Sequence, residues 1–201
     1  MMNENALSNS WKNSEVFNKQ LDFNLKELES RETYPEHWNI SLSILNQVKP
    51  SSILDVGCGC GSFFKVCKDN IPEIEYFGCD YSSDAITLAK ETWETDNFFV
   101  KDALELQNDD VIKYDMIYAS ALMDVSPRGD GIMDHILSLG ADSVLLSRVK
   151  TTNKHSYYET YTAYDEIETC AFYHNIDNLI DMFVSNKYSY TIISDHIYGV
   201  K

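Results

Sequence analysis

Ile53-Leu54-Asp55-Val56-Gly57-Cys58-Gly59-Cys60-Gly61-Ser62-Phe63 is the stretch on which the reading of this chain turns. A short apolar run meets three alternate glycines and passes directly into a segment carrying Phe63, Phe64 and Val66. That order reads as strand, tight turn, helix. Such a turn needs residues without a Cβ, so that backbone can approach a ligand and positive φ is allowed. Backbone N–H groups at the start of the helix then face whatever binds there. Two phosphate-binding loops fail on spacing. A dinucleotide loop wants G-x-G-x-x-G, whereas these glycines stand at 57, 59 and 61. A P-loop ends in Gly-Lys-Ser/Thr, and Gly61-Ser62-Phe63 has no lysine.

Outward from the glycines, strand and helix signals alternate. Ser52 to Val56 reads as a buried strand, and Gly61 to Lys68 as the start of a helix. Glu75 to Cys79 is a second strand, with Ser82 or Ser83 capping a helix through Lys90. Asn97 to Val100, Met116 to Ser120 and Ser143 to Val149 are further strands, with a helix over Gly131 to Leu139. This rhythm predicts a parallel sheet covered on both faces. Tyr157 to Tyr173 is rich in Tyr and Thr, and Ile176 to Val184 reads as a helix. Tyr188 to Ser194 and His196 to Val200 then close the sheet as an antiparallel hairpin, for seven strands in all. Upstream, residues 1–10 are polar and expected to fray. Trp11 to Glu29 follows an imperfect helical pattern, and a second helix opens at Pro35 and stops before Pro50. Residues 1–50 therefore read as a helical extension or lid, and 51–201 as the ligand-binding domain.

Composition narrows the partners. The chain has 201 residues, room for one ordinary α/β domain, and 44% of them are hydrophobic, enough for a core. Against 16 Lys and Arg stand 32 Asp and Glu, a formal charge of −16. Nucleic-acid affinity rests on basic residues neutralising phosphates, so a nucleic-acid partner is disfavoured. A small molecule, a neutral sugar or another protein fits better, and a homodimer is compatible with the sequence. No apolar run reaches the roughly 18 residues of a membrane span, and no secretory signal opens the chain. The five cysteines, Cys58, Cys60, Cys67, Cys79 and Cys170, match no zinc-ligand spacing and read as free thiols of a cytoplasmic protein, with no metal.

Asp55-x-Gly57-x-Gly59-x-Gly61 after a strand closely resembles the class I S-adenosylmethionine-dependent methyltransferases. The resemblance implies a Rossmann-like α/β fold: a mostly parallel seven-stranded sheet, helices on both faces and a C-terminal antiparallel hairpin. It implies S-adenosylmethionine as cofactor, with S-adenosylhomocysteine as product. On this family's pattern Asp55 helps hold the loop and the cationic end of the cofactor, beside Gly57, Cys58, Gly59 and Gly61. Asp80, closing Phe77-Gly78-Cys79-Asp80, takes the two ribose hydroxyls; two carboxylate oxygens suit two adjacent donors. Tyr81 packs on the adenine, Asp102-Ala103 meets its amino group, and Ser120 ends the fourth strand beside the reactive methyl.

For the chemistry, three residues are candidates. Asp124 follows the fourth strand, where many relatives carry a Glu-His pair; here Met123 and Asp124 occupy those places, offering a carboxylate or simply a backbone-binding loop residue. His155 lies after the fifth strand and His174 at the entrance to the last helix, each a base or a structural residue. His37 and Trp38 are candidates for a lid. No Asn-Pro-Pro-Tyr run follows the fourth strand, against the adenine and glutamine N-methyltransferases. The Ser-Arg-Val end of the fifth strand and the Tyr173-His174-Asn175 region resemble methyltransferases of surface-polysaccharide biosynthesis. The expectation is O-methylation of a sugar or polysaccharide precursor. The alternatives are N-methylation of a small amine and a non-catalytic cofactor-binding subunit; the glycine spacing disfavours a nicotinamide oxidoreductase.

Overall fold

The computed structural model describes residues 4–12, 14–164 and 167–201. Helices α1 (Glu4–Ser8), α2 (Ser14–Glu27) and α3 (Glu36–Val48) precede strand β1 (Ser52–Val56). Then follow α4 (Ser62–Asn70), β2 (Glu75–Asp80), α5 (Ser83–Trp93), β3 (Phe98–Val100), α6 (Asn108–Val111), β4 (Met116–Ser120), α7 (Gly129–Ser138) and β5 (Ser143–Ser147). A short sheet of β6 (Thr151–Thr152), β7 (Tyr157–Ala163) and β8 (Ile167–Asn175) precedes α8 (Ile176–Ser185), β9 (Ser189–Ile193) and β10 (His196–Val200). The main sheet has the order β3-β2-β1-β4-β5-β10-β9. Strands β1 to β5 pair parallel, and β10 pairs antiparallel with both β5 and β9.

Burial explains why the central strands read as unbroken apolar runs. In β1, Ile53 packs with α3, α4 and α5, while Leu54 and Val56 pack with α7 and α8 on the other face. In β4, Met116 and Tyr118 take the first side and Ile117 and Ala119 the second. Both faces are covered, so polar residues have no place in the alternation. On the first face the aromatics interlock: Phe63 stacks on Tyr118 at 4.4 Å, and Phe64, Tyr76 and Phe98 meet edge to face.

The helix boundaries follow from capping. Ser82 accepts from the Ala85 N–H and starts α5, as its sequence position predicts. Pro35 is the cap of α3 rather than its first residue, and Lys49 ends that helix in the left-handed region with φ 54°. Strand β5 stops two residues short of the expected Val149, because Arg148 turns to φ 64°. The expected fraying of residues 1–10 is not found over the described ones: α1 is formed and its Leu7 is buried, while Met1–Asn3 lie outside the described residues. The Tyr-rich stretch Tyr157 to Tyr164, whose composition suits strand packing, forms β7, which pairs antiparallel with β8, Tyr157 opposite Tyr173. Among the described residues no helix is long and apolar enough to cross a membrane.

Candidate functional site

In an open α/β sheet, ligands collect beyond the carboxyl ends of the strands where strand order reverses. Here that point lies between β1 and β4. A cleft opens there with two lobes, of about 470 and 330 Å³, that share Gln20, Gly57, Gly59, Ser120, Ala121, Arg148 and Tyr164.

The glycine turn forms its floor. Gly57, Gly59 and Gly61 have φ of 79°, 53° and 73°, all in the region that Cβ disfavours. The N–H groups of Gly57 and Cys58 both donate to the Cys79 carbonyl, at 2.8 and 3.0 Å, which ties the turn to β2. Gly61 faces away from both lobes and serves packing: a Cβ there would lie 2.6 Å from the Phe98 ring. A Cβ on Gly59 would meet only Gln20 of α2, at 3.4 Å.

Two buried carboxylates flank this turn, and one of them holds it. Asp80 is buried at the end of β2, where Oδ2 accepts the Gly59 N–H at 3.0 Å and Oδ1 the Ser82 N–H at 2.9 Å. Each oxygen keeps a lone pair for one more donor, which is what a vicinal diol requires. Burial raises the Asp80 carboxyl, and the two backbone N–H groups work against that. Asp55 lines the smaller lobe and accepts a hydrogen bond from the Tyr76 hydroxyl. Its carboxyl is pushed up to about 7 by burial, opposed by that hydroxyl and reinforced by Asp80. Tyr81, Asp102 and Ala103 line the larger lobe, where Asp102 also caps a short turn by accepting the Leu104 N–H at 2.9 Å. The sequence-derived residues Asp55, Gly57, Cys58, Gly59, Asp80, Tyr81, Asp102, Ala103 and Ser120 thus border one cleft.

The roof comes from both ends of the chain. Asn5, Asn9, Trp11 and Phe17 reach the larger lobe from the N-terminal helices, and Tyr161 and Tyr164 from β7 and the residue after it. Trp11 joins the two: its Nε1 donates to Thr169 Oγ1 at 3.1 Å, and its ring meets Tyr164 edge-on. Asn24 of α2 donates to Ser62 Oγ at 2.8 Å, at the start of α4. His37 and Trp38 border the smaller lobe. Burial, and then the Arg148 charge, push the His37 imidazole down to about 4.

The three candidate bases stand elsewhere. Asp124 is buried behind the wall, 3.5 Å from Lys150 Nζ, and lines neither lobe. His174 is fully buried with Nδ1 2.7 Å from Asp130 Oδ1, a hydrogen bond made where β8 packs against α7. His155 is exposed between β6 and β7. The cleft instead holds Arg148, the arginine of the Ser-Arg-Val end of the fifth strand, and Arg128, which carries no local sequence signal because a single arginine in a loop is an ordinary surface residue. Their rarity was the available signal: the chain has three arginines, Arg31, Arg128 and Arg148.

The residues around the larger lobe fit an adenosyl group. Asp80 has spare acceptor capacity toward a ribose, and positive-φ glycines leave the floor without side chains. Residues 54–146 match a family described as a methyltransferase domain. That match takes in the glycine turn, Asp80 and Asp102, and spans just under half of the chain. A ribosomal protein L11 methyltransferase of Lactobacillus johnsonii is 38% identical over 81 residues, 39% of this chain and 25% of that protein. The chain thus spans about a quarter of the length of the curated relative it matches. The human N-acetylserotonin methyltransferase, solved with S-adenosylmethionine, superposes with a TM-score of 0.63 at 13% identity, over 92% of this chain and 56% of that one. The sugar N-methyltransferase KedS8 of a Streptoalloteichus species gives 0.59 at 9%, over 82% and 86%. At these identities the likeness to the solved structures is one of fold.

Proposed function

We propose that this chain is an S-adenosylmethionine-dependent methyltransferase that acts on a small molecule, by O-methylation of a sugar or polysaccharide precursor. The observation that carries the small-molecule reading is the roofed cleft of about 470 Å³, enclosed by α1, α2 and the β7–β8 hairpin. Residues 1–50 act in this reading as a lid over the domain formed by 51–201. Asp80, Tyr81, Asp102 and Ala103 on the β2–β3 side take the adenosyl portion, and Asp55 with the glycine turn the methionine portion. The bound cofactor supplies a methyl group on a sulfonium, ready for in-line displacement. The protein orients the acceptor beyond Ser120 and keeps bulk water out. Asn5 and Asn9 offer hydrogen bonds to hydroxyls, and Tyr161 and Tyr164 a surface for a ring.

N-methylation of a small amine is the second reading, favoured by the fold shared with a sugar N-methyltransferase. Calorimetric titration with S-adenosylhomocysteine tests the cofactor site. Asp80→Ala is expected to weaken binding about tenfold or more. Unchanged affinity would remove Asp80 from the ribose site. A screen with methyl-labelled cofactor over sugars, amines and phenols then separates the readings. Cofactor binding without transfer to any class would leave a non-catalytic subunit.

A further inference from the structure

Building on the methyltransferase reading of the cleft, we propose that its acceptor is an anion, held through a carboxylate or phosphate by Arg148 and Arg128. The chain carries 32 acidic residues and three arginines, yet two of those arginines line one lobe of one cleft. They come from unrelated elements: Arg148 directly follows β5, and Arg128 directly precedes α7. Arg148 holds φ 64°, a conformation a Cβ disfavours, and so does Ala121 beside it after β4 with φ 53°. Strain of this kind persists where the surrounding fold fixes a group for use.

Sheet order places the pair on the acceptor side. Asp80 ends β2 and Asp102 follows β3, while Ser120 ends β4 and Arg148 follows β5, on the other side of β1. Lys101, the other cation of this lobe, lies on the cofactor side and pairs with Asp110 at 3.6 Å. Among the described residues, neither Arg128 nor Arg148 has a carboxylate within ion-pair distance. Arg148 borders both lobes, sharing the smaller with Glu27 and His37 and the larger with Tyr161. Asp124 contacts Lys150 at 3.5 Å. Guanidinium groups receive carboxylate and phosphate oxygens in a two-pronged fashion that neutral acceptors do not exploit. Tyr161 beside them offers a surface for the body of the molecule.

The test titrates protein saturated with S-adenosylhomocysteine with two matched sets: glucose 6-phosphate, glucuronate and glucose; phenyl phosphate, benzoate and benzamide. In at least one set an anionic member is expected to bind about tenfold or more tightly than its neutral counterpart. The phosphate and carboxylate members report which group the site takes. Arg148→Gln and Arg128→Gln are each expected to lose about tenfold of that affinity, a charge-assisted contact's worth. Arg31→Gln, on an exposed turn, is the control and should change nothing. Circular dichroism checks that every variant is folded. Equal binding of neutral and anionic members, or binding of none, overturns the proposal. So does a loss of S-adenosylhomocysteine affinity in Arg148→Gln, which would give the guanidinium to the cofactor's own carboxylate. If wild-type protein fails to bind S-adenosylhomocysteine, the methyltransferase reading falls; the same titrations on free protein then still judge the anion site.

Discussion

Gly59 and Gly61 share a left-handed backbone but differ in what surrounds them. Placing an L-residue there costs roughly 1–2 kcal/mol from sterics alone. At Gly61 the new Cβ would also press on Phe98 and Trp93, at 2.6 and 3.1 Å, and overpacking of that kind adds about 1–3 kcal/mol. Gly61→Ala is therefore expected to lower unfolding free energy by roughly 2–5 kcal/mol, and Gly59→Ala by roughly 1–2 kcal/mol. Urea titration of both variants reads the difference; equal losses would refute the packing role of Gly61. Asp55 makes a second prediction at this scale. Its folded carboxyl stands at about 7, against roughly 3.9 in an unfolded chain. Between those values the folded protein binds the extra proton, so stability falls as pH rises and levels off above about 7. Tyr76, Asp80 and the thiols of Cys58, Cys67 and Cys79 are the titratable groups around it. Asp55→Asn is expected to remove this slope, gaining on wild type as pH rises from about 4 to about 7. Unfolding curves across that range would show an unaltered slope if the carboxyl titrates near its ordinary value.

The elements differ in how plainly their residues announce them. Strands β1, β2, β4 and β5 are short apolar runs bounded by turn residues, and Ser82 is a helix cap in an ordinary setting. Their physics is local, so the sequence shows it. The glycine turn and Asp80 were legible for the same reason: spacing along the chain fixes the geometry of the turn. The β7–β8 hairpin was not, because most of β7 is exposed and its Tyr and Thr residues satisfy either face of a strand. The burial of His174 was hidden because its partner Asp130 is 44 residues away, and the roles of Arg128 and Arg148 because the cleft they line is assembled from distant segments. Asn175 illustrates a cap that gains meaning only in three dimensions. Its side chain accepts the Asn178 N–H at 2.9 Å to start α8 and donates to the Lys154 carbonyl at 2.8 Å. Asn175→Ala is expected to cost about 1–2 kcal/mol in thermal or urea unfolding. A change near zero would mean that water replaces both contacts.

At the scale of the molecule, the cleft is held by contacts between the two ends of the chain. Ser10 and Trp11 both reach Thr169, and Leu7 is buried. Trp11→Ala removes a hydrogen bond and an aromatic contact from this clasp. Tryptic cleavage after Lys12 is expected to accelerate several-fold in the variant, and saturating S-adenosylhomocysteine to slow it in the wild type. Equal cleavage rates in variant and wild type would show that Trp11 does not secure the roof. The clasp also sets an order of events on the ribosome. The cofactor turn and its supporting strands leave the exit tunnel well before Thr169, while Trp11 waits for β8 as its docking surface. A nascent chain halted short of residue 167 would carry every glycine of the turn beneath an unfinished roof, so the binding chamber closes only once β8 has been made.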